Sequence, residues 1–100
     1  MKNYKIKLIS TAVTDLNELL DNLSQFSPKV ALRLYDKIVN KINTLKEFPE
    51  MYEIYETRLI GYKFRKMSID NYLVFYVIKE DTVEIHRIIN GRMNIRKIIE

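Results

Sequence analysis

The sequence predicts an α+β fold, a two-layer β-α-α-β-β-β sandwich with a helical hairpin on one face of an antiparallel sheet. Three observations predict it. A short alternating segment opens the chain, two long segments with helical periodicity follow, and three strand-like segments joined by tight turns fill the second half. At 100 residues, the chain is expected to form a single domain over residues 1–100.

The first strand is expected at residues 4–10, YKIKLIS, where Tyr4, Ile6 and Leu8 alternate with lysines. The first helix is predicted over residues 10–26, with Ser10 or Thr11 as its cap. Its apolar residues recur three or four positions apart and are Leu16, Leu19, Leu20, Leu23 and Phe26.

The second helix is predicted to begin at Pro28 and to end before Pro49. Proline disfavours helix at the residue before it but suits the first turn of a new helix. The apolar stripe of this helix consists of Ala31, Leu34, Tyr35, Ile38, Ile42 and Leu45. Because the joint at Ser27 is so short, the two helices should form an antiparallel hairpin whose stripes are core. Residues 50–61 show no regular period and are expected to be a connection.

Residues 62–69, 72–78 and 82–89 are typical of strands, with turns between them at Asp70-Asn71 and at residues 79–81. Asn90-Gly91 is a turn that closes the last strand. The middle strand is apolar on both faces and should be central. No further segment is long enough to cover the second sheet face, so that face is expected to be partly open.

Composition narrows the class of protein. The chain has no cysteine, which excludes disulfides and thiolate metal sites, and no metal site or cofactor is predicted. It also contains no apolar run of membrane-spanning length and no signal-peptide pattern, so we expect a cytoplasmic protein. A net charge of +4 favours an acidic partner or a phosphate backbone.

The candidate catalytic residues are basic. Residues 85–99 contain no acid but include Arg87, Arg92, Arg96 and Lys97. Strand periodicity predicts that Arg65 and Arg87 approach each other across the central strand, with Arg92 just past the turn.

Guanidinium groups beside the ring of Tyr72 or Tyr76 would suit single-stranded RNA, or would stabilise the charge that develops when a phosphodiester is broken. The alternative is that Arg65 and Arg87 are structural, paired with Asp70, Glu84 or a backbone carbonyl.

His86 is the only histidine and the only side chain whose usual pKa is close to neutral, so it is a candidate general acid or base. Its side of the strand is shared with Ile88, which favours a partly buried structural role instead. The candidates for binding a nucleic acid or another target are Lys63, Lys66, Tyr72, Arg96 and Lys97.

These segments, in this order, resemble the RelE/ParE superfamily of bacterial type II toxin–antitoxin toxins. YKIKLISTAVTDLNELLDNL is similar to the opening strand and first helix, with Ala12, Asp15 and Leu16 in the expected places. ALRLYDKIVNKINTLKEFPEMY is similar to the second helix and its closing segment. GYKFRKMSIDNYLVFYVI and VEIHRIINGRMN resemble the later strands, so the similarity spans nearly the whole chain.

The resemblance implies a toxin that is neutralised by a cognate acidic antitoxin and forms a hetero-oligomer with it. RelE-like members cleave mRNA on the ribosome, which would make this chain a metal-independent endoribonuclease. ParE-like members poison DNA gyrase, and the resemblance leaves the two targets open. Carried over by motif, Arg65, Arg87 and Arg92 match basic positions of the superfamily.

The chain departs from the nuclease pattern at four positions. Asn90 stands where many relatives have His or Tyr, Met93 where an Arg is common, and Asn94 where an Asp is common. Leu73 stands where ribosome-dependent nucleases have Arg. Asparagine cannot transfer a proton near pH 7. These departures weaken the nuclease hypothesis and leave a third alternative, a non-toxic binding module of the same fold.

Overall fold

The computed structural model describes residues 3–56 and 61–99, so residues 57–60 of the expected connection lie outside the described residues. A 3₁₀ turn, Thr44–Lys46, extends the second helix. The helices and strands, in chain order, are β1 Lys5–Leu8, α1 Ser10–Phe26, α2 Pro28–Asn43, β2 Ile54–Tyr55, β3 Phe64–Ile69, β4 Tyr72–Lys79, β5 Thr82–Asn90 and α3 Ile95–Ile99.

The two-layer α+β architecture is confirmed, and β4 is central in a sheet of order β1-β5-β4-β3-β2. The sheet is mixed, however, because β1 runs parallel to β5. The prediction of a purely antiparallel sheet was wrong because β2, a two-residue strand in the expected connection, was missed. Each antiparallel step reverses the chain, so one additional reversal makes β5 run in the direction of β1.

The main core lies between the helical hairpin and the sheet. It contains the buried α2 residues Leu34, Ile38 and Ile42, as predicted. Two members of the predicted stripes are exposed instead. Tyr35 is 42% exposed and Phe26 is 89% exposed. Phe26 is the last residue of α1, at the tip of the hairpin, where its side chain is left uncovered.

The start of α1 differs from the predicted cap. Its first residue follows Ile9, and no side chain caps it. Instead, the Thr11 hydroxyl donates to the carbonyl of His86 at 2.8 Å, which ties α1 to β5. The start of α2 has a side-chain cap, since the hydroxyl oxygen of Ser27 accepts a hydrogen bond from the backbone N–H of Val30.

A β-bulge at His86 changes which side chains of β5 face the helices. Tyr76 pairs with Ile85 but Phe75 pairs with Arg87, so His86 is an extra residue on β5. Strict alternation predicted that Ile88 shares a side with His86 and that Ile89 shares a side with Ile85. The bulge reverses this, because Ile88 packs in the helix-side core and Ile89 packs on the other face.

The second face of the sheet, which was expected to be partly open, is partly covered by α3, a segment that was not predicted. Ile99, 4% exposed, packs with Phe64, Phe75, Val77 and Ile89 in a second apolar cluster. The spacing of Ile95, Ile98 and Ile99 gives α3 an apolar side, which the basic residues between them concealed in the sequence. Within residues 3–56 and 61–99, no helix is long and apolar enough to cross a membrane.

Candidate functional site

Asp15 of α1 holds Arg87 of β5 through a bidentate contact. The Arg87 Nε and Nη2 atoms donate to the two carboxylate oxygens of Asp15 at 2.7 and 2.9 Å. The same carboxylate accepts the backbone N–H of Ile88 at 2.9 Å. The Asp15 side chain is only 10% exposed, and its hydrogen bonds raise the pKa of Arg87 above the usual value. Asp15 therefore both fixes the bulge and occupies the guanidinium group.

Arg65 of β3 is also occupied. Its Nη1 donates to the carbonyls of Tyr52 at 2.7 Å and Glu50 at 3.2 Å. Next to it, the buried hydroxyl of Tyr76 donates to the carbonyl of Pro49 at 2.6 Å. Burial raises the pKa of Tyr76 to about 12. Together, Arg65 and Tyr76 hold the segment that leads from α2 to β2.

Arg65 and Arg87 therefore contact separate partners and do not meet across β4 as expected. The structural alternative included a backbone carbonyl, which is what Arg65 binds. Asp70 and Glu84, the carboxylates expected as possible partners, do not pair with Arg87. Asp70 pairs with Lys37 at 2.7 Å, and Glu84 lies next to His86.

The His86 side chain is packed against its neighbours and is largely shielded from solvent. Its ring is 13% exposed and lies 3.4 Å from the Glu84 carboxylate. The rings of Tyr62 and Phe64 meet it edge to face, with centroids 5.4 and 5.3 Å away. This is the partly buried position that the sequence favoured, and it gives a substrate little access to the imidazole.

The remaining basic candidates are spread over the surface. Arg92 lies in the turn after β5, and Arg96 and Lys97 are on α3, all three exposed. Lys66 pairs with Glu53 at 3.4 Å and lies over the ring of Tyr55. Lys63 is exposed just before β3.

Asn90 and Asn94 have structural roles. The Asn90 side-chain oxygen accepts the backbone N–H of Arg92 at 2.9 Å, which shapes the turn. The Asn94 side-chain oxygen accepts the N–H of Lys97 at the start of α3, at 3.4 Å. Two of the departures from the nuclease pattern therefore stabilise the local backbone.

A cleft of about 370 Å³ lies between α1 and the end of β5. Tyr72 lines it together with Arg87, so the structure brings these two candidates together on the helix side of the sheet rather than on the second face. Phe26 and Met93, which are 89% and 50% exposed, border the cleft. An apolar rim above an internally neutralised ion pair suits the docking of a protein side chain.

Sequence reasoning missed Asp15 as the partner of Arg87. A signal was present, because Asp15 stands beside Leu16 on the core-facing side of an amphipathic helix, where an acid needs a cation. Across the described parts of the chain, no group of three or more His, Cys, Asp or Glu side chains is arranged to hold a metal ion.

Comparison with known proteins gives a family match over residues 6–95, to the model described as the ParE toxin of type II toxin-antitoxin system, parDE. No curated protein matches the chain significantly in sequence.

Three solved structures share the fold. The chromosomal ParDE system of P. aeruginosa has a TM-score of 0.71 at 19% identity, covering 87% of this chain and 95% of that one. The archaeal RelE–RelB complex of Pyrococcus horikoshii has a TM-score of 0.60 at 17% identity, covering 91% and 99%. The RelBE2 toxin-antitoxin complex of Mycobacterium tuberculosis has a TM-score of 0.58 at 20% identity, covering 88% and 98%.

Proposed function

We propose that this chain, which belongs to the ParE toxin family of type II toxin-antitoxin systems, arrests growth by binding DNA gyrase and is neutralised by a cognate acidic antitoxin. The observation that carries the proposal is the bidentate contact between Asp15 and Arg87. A ribonuclease of the kind considered from the sequence needs a guanidinium group free to meet a phosphate. Of the three arginines considered for that role, Arg87 is neutralised by Asp15 and Arg65 is bound to backbone carbonyls, so Arg92 alone of the three stands exposed.

The acid–base groups support the same conclusion. General acid–base catalysis needs a titratable side chain within hydrogen-bond reach of the reacting atoms. His86 packs against two stacked aromatic rings and beside Glu84, and Asn90 is bound to the backbone of its own turn. Binding to a protein target requires no such group.

The exposed side chains near α3 supply a surface for that target. Met93, in the turn after β5, and Phe26, on α1, border the cleft, and Arg92 stands exposed next to Met93 in the chain. Arginine and large apolar side chains dominate the binding energy of protein interfaces. We assign this surface, defined as Phe26, Arg92 and Met93, to gyrase docking.

The antitoxin proposal is supported by charge and by the neighbours. The three similar structures named above come from toxin-antitoxin systems, and two are described as complexes. The net charge of +4 favours an acidic partner. A partly disordered acidic tail of the antitoxin could fold as it wraps around this chain.

Induction of the chain in growing cells tests toxicity and neutralisation together. We expect growth arrest, and recovery when the antitoxin encoded beside it is expressed too. Normal growth at high expression would instead support the non-toxic binding module.

The target is tested in vitro with two reactions run side by side, DNA supercoiling by gyrase and translation on purified ribosomes. We expect supercoiling to be inhibited and mRNA to stay intact. Ribosome-dependent mRNA cuts with unaffected supercoiling would overturn the gyrase proposal and restore the nuclease hypothesis.

A further inference from the structure

The two edges of the sheet carry opposite charge. In the described sheet, β1 forms one edge and β2 the other. Lys5 and Lys7 are exposed on β1, and Lys5 also contacts the exposed Asp81 carboxylate of its own copy at 3.6 Å. Around β2, Glu53 and Glu56 are exposed. We propose that copies of this chain associate head to tail, the β1 edge of one copy pairing with the β2 edge of the next.

The β1 edge offers free backbone groups. Lys5 N–H donates to the carbonyl of Asp81, and Ile9 N–H donates to the carbonyl of Ile85. In a parallel pair, alternate residues bond to the neighbour, so Ile6 and Leu8 direct their N–H and C=O groups away from β5. Such a row is a template for one further strand.

The β2 edge offers one residue with outward-facing backbone groups. The carbonyl of Glu53 accepts the N–H of Lys66, and Tyr55 pairs with Phe64. Ile54, between these two pairing residues, therefore directs its own N–H and C=O outward.

The side chains of the two edges also match face by face. Ile6 and Leu8 pack on the helix side, which places Lys5 and Lys7 on the opposite face. On β2, Tyr55 packs in the cluster of that opposite face, so Glu53 shares the face and Ile54 lies on the helix side. Ile54 is 43% exposed. Pairing would set Glu53, which already contacts Lys66 of its own copy at 3.4 Å, against the two lysines, and Ile54 against Ile6 and Leu8.

The strand directions allow this contact. β1 and β5 are parallel, and each of the three steps from β5 to β2 is antiparallel. β2 therefore runs opposite to β1, and a copy placed beside the first continues the sheet as an antiparallel pair. Opposite charges across such a pair are stabilising. The contact is heterologous, so it extends into rings or open chains rather than closing as a dimer.

Charge also selects this pairing over the alternatives. Two β1 edges would bring lysines together, and two β2 edges would bring glutamates together, and like charges across a strand pair are destabilising. Lysine on an edge strand usually prevents association. Here the lysines of β1 oppose pairing with a second β1 edge but favour pairing with a β2 edge.

Analytical ultracentrifugation of the full chain, made free of antitoxin by cell-free synthesis, tests the proposal. We expect the mass to rise above the 12.0 kDa monomer as concentration approaches about 1 mM, since such a short interface binds weakly. The variant K5E,K7E has two acidic edges, and E53K,E56K has two basic edges. Each alone should associate at least about tenfold more weakly.

A mixture of the two variants is the decisive sample. The acidic β1 edge of one complements the basic β2 edge of the other, so mixing should restore association. The control K29E,K41E carries the same charge change as K5E,K7E but on α2, where both lysines are exposed, and should associate like the unchanged chain. Monomer at all concentrations, or a mixture that behaves as the sum of its parts, overturns the proposal. Neither result bears on gyrase inhibition, which the supercoiling reaction measures separately.

Discussion

At the scale of single residues, the neighbours of Arg87 determine what it can do. A guanidinium group with two hydrogen bonds to one carboxylate would have to break both to meet a phosphate. The Asp15 side chain is 10% exposed and that of Arg87 28%, so the pair is screened less than a surface pair. The same contact holds the Ile88 N–H, which makes Asp15 a determinant of the shape of β5.

The variant Asp15→Asn keeps the shape of the side chain but removes its charge. It should lower the free energy of unfolding by about 2–3 kcal/mol, because the partly buried Arg87 guanidinium loses its counter-charge. Urea denaturation measures the change. Lys37→Met is the matched control, since it breaks an exposed pair with Asp70 worth about 0–1 kcal/mol. Equal losses in the two variants would contradict a special role for Asp15.

Tyr76 makes stability sensitive to high pH. Its pKa rises from the ordinary 10.0 to about 12 in the folded protein, so the unfolded chain releases this proton first. Burial of the neutral hydroxyl therefore contributes about 2–3 kcal/mol to the free energy of unfolding below pH 10. This contribution is lost as the pH rises from 10 to 12.

The variant Tyr76→Phe tests this dependence. At neutral pH it should cost about 1 kcal/mol, the hydrogen bond to Pro49. Between pH 10 and 12, its free energy of unfolding should fall less steeply than that of the unchanged chain. The half-exposed Tyr62→Phe is the control. Parallel curves for the unchanged chain and Tyr76→Phe would show that burial of this hydroxyl has no such effect.

At the scale of elements, the helical hairpin depends on one residue between two helices. Ser27 ends α1, and its side chain caps α2. Pro28 then supplies the fixed backbone angle of a first helical turn. This local chemistry is why the boundary between the helices could be predicted from the sequence to the residue.

Replacing the cap should weaken the hairpin. Ser27→Ala is expected to cost about 1 kcal/mol, because the Val30 N–H loses its acceptor. Ser24→Ala, on the exposed face of α1, should change stability by less than about 0.5 kcal/mol. Thermal denaturation of both variants measures the difference. An equal effect would mean that the proline alone sets the boundary.

Two short elements, β2 and α3, could not be predicted. A two-residue strand has too few positions to show alternation, and the apolar positions of α3 are interspersed with basic ones. Both are defined by tertiary contacts, β2 with β3 and α3 with the second apolar cluster. The error in sheet direction followed from the first omission.

The contact of α3 with the sheet can be measured. Ile99→Ala should destabilise the chain by about 2 kcal/mol, because Ile99 is buried against the second cluster. Met93→Ala, half-exposed in the preceding turn, should change stability much less. Hydrophobic dye binding should rise only for Ile99→Ala, as Phe64 and Phe75 lose their cover. No dye binding by Ile99→Ala would indicate that α3 is not needed to protect this face.

At the scale of the whole molecule, the candidate site was predicted less well than the layers. Apolar periodicity identifies what faces a core, and it located both helices and the three long strands. It carries no information on which carboxylate meets which arginine after the chain folds, so the partnership of Asp15 and Arg87, 72 residues apart, was missed. A bulge adds one residue to a strand without changing its composition, so the shift at His86 was equally hidden.

The proposed function requires that this chain binds a protein target and needs no acid–base chemistry of its own. Gyrase supercoiling measured with the unchanged chain and with His86→Ala tests it most directly. We predict half-maximal inhibition at concentrations that agree within about threefold, since loss of a general acid or base would cost about 10²–10⁴-fold. Two results together would contradict the gyrase proposal. The unchanged chain would leave supercoiling unaffected, and it would cleave mRNA on ribosomes in a reaction that His86→Ala abolishes.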